Sequence, residues 1–308
     1  MNMIRTHPSK SNSVEEISFL SPDLAEGLVA LGKFYSDTMT TLAVRPKLRN
    51  FALGHDPSTK GSFAFFYGES GLGKTTILRQ ILTYDLPMCE GWKPEQGLYV
   101  LVPRNCSTRT LTIAVLEAMG DSAAHKNTSE AKLMLRARNV LKHKGIRLIV
   151  FDDCHHLVDK KSMELVESVA DWFKEVVEDT KASAILTGLP VIKHIVMSKD
   201  EIKGREVMDI EIKAFDWNVE DDRMDFRTFL ERLDAFLPGK PVGLEEPQTA
   251  ENLHYLCGGR VGFLWRLLWN ALERAATRGQ KRFTTKDIAE AFEELRTDDE
   301  REMVNVFL

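Results

Sequence analysis

Short apolar runs punctuate the first two thirds of the chain, separated by longer stretches whose apolar residues recur at helical spacing. The runs are Phe63-Ala64-Phe65-Phe66-Tyr67, Leu98-Tyr99-Val100-Leu101-Val102, Leu148-Ile149-Val150-Phe151 and Ala184-Ile185-Leu186, followed by an alternating segment from Glu206 to Ile212. Near-continuous apolar strands are those buried on both faces, and their alternation with helices predicts a parallel sheet. Helices are expected from Thr75 to about Thr83, from about Thr110 to Met119, from Ala131 to His143 and from about Ser162 to Asp179. After Phe215-Asp216-Trp217 the strand signals stop, and helical patterns cover 221–237, 249–256, 260–277 and 284–295. Gly258-Gly259 ends the second of these, and Thr284-Thr285-Lys286-Asp287 resembles a capping box opening the last.

Toward the N-terminus, residues 1–13 are polar and read as a disordered arm. Ser21-Pro22-Asp23 suits the start of a helix, with Leu24, Leu28, Leu31 and Tyr35 as its buried stripe. That helix is expected to stop before Pro46, leaving Arg45-Pro46-Lys47-Leu48-Arg49-Asn50-Phe51 as a basic loop. The chain therefore divides into an arm (1–20), a helix with a basic loop (21–50), an α/β core with helices on both faces of its sheet (51–215) and a small all-helical domain (216–308).

Composition narrows the class. At 308 residues, 43% hydrophobic and 28% charged, the chain has the balance of a soluble globular protein with room for a sizeable core. A net charge of −5 excludes a global basic field, so any nucleic-acid surface is a local patch. The four cysteines (Cys89, Cys106, Cys154, Cys257) include no C-x-x-C pair, as expected in a reducing cytosol. No run is long enough for a membrane span and no signal-peptide core is visible, so a cytoplasmic protein without membrane partners is expected.

Chemistry enters at Gly68-Glu69-Ser70-Gly71-Leu72-Gly73-Lys74-Thr75, an ungapped G-x-x-x-x-G-K-T placed between a strand pattern and a helix pattern. Glycines in such a loop let successive backbone N–H groups turn toward phosphate oxygens at the positive end of a helix. Lys74 supplies charge for the outer phosphates and the Thr75 hydroxyl a ligand for Mg²⁺, so the loop predicts binding of a nucleoside triphosphate. Downstream, Leu148-Ile149-Val150-Phe151 delivers Asp152 and Asp153 to the carboxyl edge of the sheet, as a Walker B strand does. Asp152 is expected in the Mg²⁺ shell, and Asp153 beside the attacking water. The adjacent Cys154-His155-His156 does not read as a metal site, because three consecutive residues cannot all face one ion.

The order of these parts resembles the AAA+ ATPases: P-loop core, Walker B, a strand ending in a polar residue, then a helical lid. Phe151-Asp152-Asp153-Cys154-His155-His156-Leu157 resembles the acid-acid-x-x-His-Leu turn of the transposition ATPases, the group of the TniB and TnsC proteins and the Mu B protein. Leu186-Thr187-Gly188-Leu189-Pro190 is similar to their strand-end segment, and Asp200-Glu201-Ile202-Lys203-Gly204-Arg205 to their Asp-to-Arg run. The resemblance spans residues 20–295, is closest over 60–215, and fits the TniB branch best.

It implies a protein that oligomerises as a ring or filament on double-stranded DNA when ATP is bound, presents that DNA as a transposition target and engages a transposase. A targeting factor is a further candidate partner. ATP hydrolysis is implied to release the assembly. By motif, the ATP-binding residues are Gly68 through Thr76, and Lys74, Asp153, Thr187 and Arg205 are catalytic. Thr187 stands where sensor 1 feels the terminal phosphate, and Arg205 where an arginine finger reaches a neighbour's nucleotide. The alternative reading of Arg205 is a surface arginine in a charged loop. Two departures matter. The second acid is usually Glu, and the shorter Asp153 predicts slow hydrolysis that Asp153→Glu would raise. The sensor 2 position falls near Gly262, with Arg260 or Arg266 as the substitute. DNA phosphates are assigned to Arg104, Arg109, Lys160 and Lys161, which could also be exposed side chains balancing nearby acids. Two rivals remain: an ATP-gated scaffold without DNA contact, and a P-loop small-molecule kinase.

Overall fold

The computed structural model describes residues 22–54, 61–104, 106–125, 128–157, 163–192, 207–237, 241–280, 284–296 and 303–307. Two compact units divide the chain: Met39–Ala214, and a second joining the described residues up to Thr38 with those from Phe215 onward.

The first unit is built on five parallel strands. These are β1 (Phe63–Tyr67), β2 (Gly97–Leu101), β3 (Leu148–Asp152), β4 (Ser183–Gly188) and β5 (Val207–Glu211), in the order β2-β3-β4-β1-β5. Successive parallel strands of one sheet need crossovers, and helices supply them: α3 (Lys74–Gln80) after β1, α4 (Thr108–Ala118) and α5 (Glu130–His143) after β2, α6 (Met163–Thr180) after β3. Both faces are buried, which is why the strands read as continuous apolar runs.

Period-two alternation sorts the strand residues into two layers. Ala64, Phe66, Leu148, Val150, Ile185 and Ile210 pack with Ile77 and Leu78 of α3. Phe65, Val100, Ile149, Phe151, Ala184 and Leu186 pack with Leu111 and Val115 of α4, Leu133 and Ala137 of α5, and Val169, Phe173 and Val176 of α6. The second layer includes edge-to-face contacts of Phe151 with Trp172 and Phe173, and a hydrogen bond from Trp172 Nε1 to the buried Thr112 hydroxyl at 2.9 Å.

The N-terminal region departs from the sequence expectation. The first helix, α1 (Pro22–Lys33), is shorter than its stripe implied, and a second, α2 (Met39–Leu53), runs straight through the expected basic loop with Pro46 inside it. Tertiary packing outweighs the proline: Thr41, Val44, Leu48 and Ala52 form a buried stripe against the first layer. Pro46 deprives the Leu42 carbonyl of its helix donor, but both residues lie on the exposed side, where the lost bond costs least. An Arg45–Asp85 ion pair, with Nε donating at 2.9 Å, ties α2 to the π-type turn Ile81–Asp85 that extends α3.

The second unit is helical: α1 with α7 (Glu220–Phe236), α8 (Pro247–Cys257), α9 (Val261–Thr277) and α10 (Thr285–Leu295). Leu31, Phe226, Leu230, Leu253, Leu264, Leu268, Ile288 and Phe292 form its core. At the start of α10 the Asp287 carboxylate accepts from the Thr284 amide and hydroxyl, both at 2.8 Å. Asp234, 3% exposed, accepts from the Val242, Gly243 and Leu244 amides at 2.7–3.0 Å and so fixes the α7–α8 connection. Asp234→Ala strands three donors, and a loss of about 2–4 kcal/mol is expected, read as a drop of several degrees in a thermal melt. No described helix is long and apolar enough to cross a membrane.

Candidate nucleotide site

The glycine loop leaves β1 and enters α3. Its geometry follows from residues that lack a side chain. Gly73, the residue before α3, has φ 82°, in the left-handed region that favours glycine. Gly71 has φ 79°, so left-handed glycines flank Leu72, an alternation that forms an anion-binding concavity from backbone N–H groups. At Gly68 the constraint is close approach: a Cβ would overlap the Ile212 carbonyl and stand 2.8 Å from Ile212 Cγ2. The Gly68 amide also donates to the Gly188 carbonyl at 3.2 Å, pinning the loop to the end of β4.

Strand alternation brings the acids to the loop. Asp152 continues the Leu148–Val150 face of β3, the face that packs on α3, and Thr187 continues the Ile185 face of β4. The Thr75 hydroxyl, one residue into α3, donates to Asp152 Oδ2 at 2.6 Å, so the two sequence motifs meet directly. Asp152 is 1% exposed, and its Oδ1 accepts from the Asp153 amide at 2.8 Å. A buried carboxylate requires such donors. Asp153 itself is half-exposed, with φ 60°, and its carboxylate lies 3.9 Å from His155 Nδ1. Aspartate is among the few non-glycine residues that adopt this conformation readily.

Lys74 Nζ donates to the Gly68 and Glu69 carbonyls at 2.8 and 2.6 Å, curled over its own loop. Burial holds its ammonium below the ordinary lysine range, against the charges of Asp152, Asp153 and Glu69. The Thr187 hydroxyl is fully buried without a hydrogen-bond partner. The adjacent thiol of Cys154 is pushed up by burial and by Asp152, while the Thr187 backbone hydrogen-bonds to it. That thiol is packed among apolar side chains and is inert as a nucleophile.

One participant carries no sequence signature. The Tyr99 hydroxyl donates to Asp152 Oδ2 at 2.5 Å, and the Arg79 guanidinium lies 5.1 Å from the centre of the Tyr99 ring. The signal that could have found Tyr99 is parity: it pairs with Val150 in the β2–β3 register and so faces the same layer as Asp152.

The loop thus fits a triphosphate and the Thr75–Asp152 pair fits Mg²⁺. The left-handed glycines form the concavity, Gly68 has no room for a Cβ, and Thr187 presents an orphaned hydroxyl. Of the other expected site residues, Glu69, Ser70 and Thr76 are exposed and Leu72 is buried. Arg104 is exposed, whereas Arg109 donates to the Thr128 carbonyl at 2.8 Å. Arg260 belongs to the second unit, where its Nε donates to the Cys257 carbonyl at 3.2 Å and its guanidinium lies 4.0 Å from the Phe263 ring centre. Arg266 lies over the same ring at 5.0 Å. Lys160, Lys161 and Arg205 lie outside the described residues.

Residues 58–196 match a family model described as an AAA domain. No curated protein matches the chain in sequence. Among solved structures, the Aeropyrum pernix ORC1 protein in complex with DNA is similar over 87% of this chain and 69% of its own, with TM-score 0.65 and 18% identity. The ORC2 protein of the same organism, in ADPNP–ADP complexes, is similar over 86% of this chain and 70% of its own, at 0.63 and 14%. Drosophila ORC bound to DNA matches 97% of this chain and 71% of its own, at 0.62 and 13%. At such identities the likeness is one of fold. The loop, the acid-ended third strand and the strand order agree with it: the chain carries an AAA domain within a P-loop AAA+ fold that ends in a helical region.

Proposed function

We propose that this protein is an ATP-dependent DNA-binding ATPase that oligomerises on target DNA, presents that DNA to a transposase and leaves it on hydrolysis. The observation that carries the ATPase reading is the 2.6 Å bond from Thr75 to Asp152, which joins the glycine loop to the acid strand in one site. Lys74 exchanges its two carbonyl partners for phosphate oxygens. The Thr75 oxygen would ligate the metal while its hydroxyl still donates to Asp152. Mg²⁺, held by Thr75 and Asp152, would offset charge on the outer phosphates. Asp153 accepts the proton of the attacking water, and the unpartnered Thr187 hydroxyl senses the terminal phosphate. Arg205 of a neighbouring subunit completes the site, so assembly gates hydrolysis.

The DNA and transposition parts of the reading rest on other ground. The Asp152–Leu157 turn, the Leu186–Pro190 segment and the Asp200–Arg205 run resemble the transposition ATPases. Two of the similar folds are ORC proteins described on DNA. The contacts would be to phosphates, through Arg104 and Lys160–Lys161, with weak sequence preference and steep salt dependence. Arg109 contributes less, since one guanidinium nitrogen is held by Thr128.

Sedimentation and negative-stain imaging with and without duplex DNA and a non-hydrolysable ATP analogue test the proposal. Rings or filaments that need both ligands are expected. Assembly with ATP alone, indifferent to DNA, would replace this reading with the ATP-gated scaffold, which the net charge of −5 suits.

A further inference from the structure

Tyr99 is the only described side chain outside the two motifs that donates to the Asp152 carboxylate. Its hydroxyl shares Oδ2 with the Thr75 hydroxyl, while the Asp153 amide takes Oδ1. The torsion that orients a carboxylate plane is broad, so one hydroxyl and one amide leave it free to rock. A second hydroxyl from a different strand narrows it. Arg79 stands four residues beyond Thr75, one turn on along the same helix face, and its guanidinium over the Tyr99 ring links the two helix positions to one tyrosine.

We infer that Tyr99 is a positioning residue for the magnesium site: held by Arg79, it orients Asp152 so that the Thr75 hydroxyl keeps donating to the carboxylate while its oxygen is left to face the metal. The inference rests on the nucleotide site proposed above and names a residue of β2 that neither motif contains. Tyr99 touches neither substrate nor metal in this scheme; it acts through Asp152.

Tyr99→Phe removes the hydroxyl and keeps the ring under Arg79. A fluorescent ATP analogue is titrated into the full chain with millimolar Mg²⁺ and again in EDTA. With Mg²⁺ the variant is expected to bind about 10-fold more weakly, the effect of losing one hydrogen bond to a charged group, while affinity in EDTA stays within about twofold. The Mg²⁺ concentration for half-maximal binding rises accordingly, and Arg79→Ala moves it in the same direction by less. Equal affinity of Tyr99→Phe and the parent under both conditions overturns the inference, as does an equal loss in both, which marks a merely structural tyrosine. Asp152→Asn reports on the underlying site: if the parent shows no Mg²⁺-dependent binding for this variant to lose, the nucleotide reading itself falls, and the inference falls with it.

Discussion

Lys74→Ala is expected to bind ATP at least about 100-fold more weakly, to release no phosphate above background, and to remain unassembled on DNA at ATP concentrations that assemble the parent. The ammonium lies over the glycine loop, where two carbonyls already hold it in position. Its loss should not unfold the protein. Burial lowers the Lys74 pKa, so in the nucleotide-free fold the charged form is disfavoured relative to the unfolded chain. That penalty is fully present below the lowered folded-state value, and it fades as pH rises from there toward the ordinary lysine range, because the unfolded chain holds more protons across that window. Alanine removes the penalty at neutral pH. The nucleotide-free variant should therefore melt at or slightly above the parent temperature, while ATP, which raises the melting point of the parent, should do nothing to the variant. Calorimetric titration, phosphate release, imaging and paired melts check the four statements. Normal assembly by Lys74→Ala would show that the loop does not govern assembly.

At Asp153 the chemistry and the backbone pull in different directions. Asp153→Asn keeps the shape and removes the base, so turnover is expected to fall about 10²- to 10³-fold with ATP affinity retained, trapping the assembled state on DNA. Asp153→Glu restores the reach of the acid usual at this position in the resembling group and is expected to raise single-turnover hydrolysis. It also places a residue less suited to φ 60° than aspartate, so a melting temperature lower by a few degrees is expected alongside. Unchanged or reduced turnover in Asp153→Glu would sink the account of slow hydrolysis by short reach. A raised rate with no loss of stability would mean instead that the left-handed backbone relaxes without cost.

Those features of the fold that depend on neighbouring residues are legible in the sequence. The glycine loop, the strand preceding it and the acid-ended β3 are contiguous in sequence, and apolar runs of this kind identify strands buried on both faces. Helix limits set by local chemistry followed suit: Gly258, with φ 58°, ends α8, and Asp287 caps α10. What stayed hidden depends on distant partners. Pro46 reads as a helix breaker, because nothing nearby reveals that Val44 and Leu48 will be buried against a sheet that follows them in sequence. Tyr99 looks like another apolar strand residue until the β2–β3 register sets it diagonally from Asp152. The left-handed turn at Asp153 has no glycine to announce it.

The two-layer sorting of strand residues gives the sheet the character of an indexing device. Asp152, Thr187 and Tyr99 serve one layer because each sits an even number of steps from an apolar residue of that layer on its own strand or across the register. Inserting one residue within β3 would keep every side chain present yet turn the carboxylate into the layer of α4, α5 and α6, among Phe173 and Val176. Inserting two would restore the face but carry the acid about 6.6 Å along the strand, beyond Thr75. The apolar positions of these strands should therefore tolerate changes of residue far better than changes of count, and insertions should be tolerated only in the connections between strands.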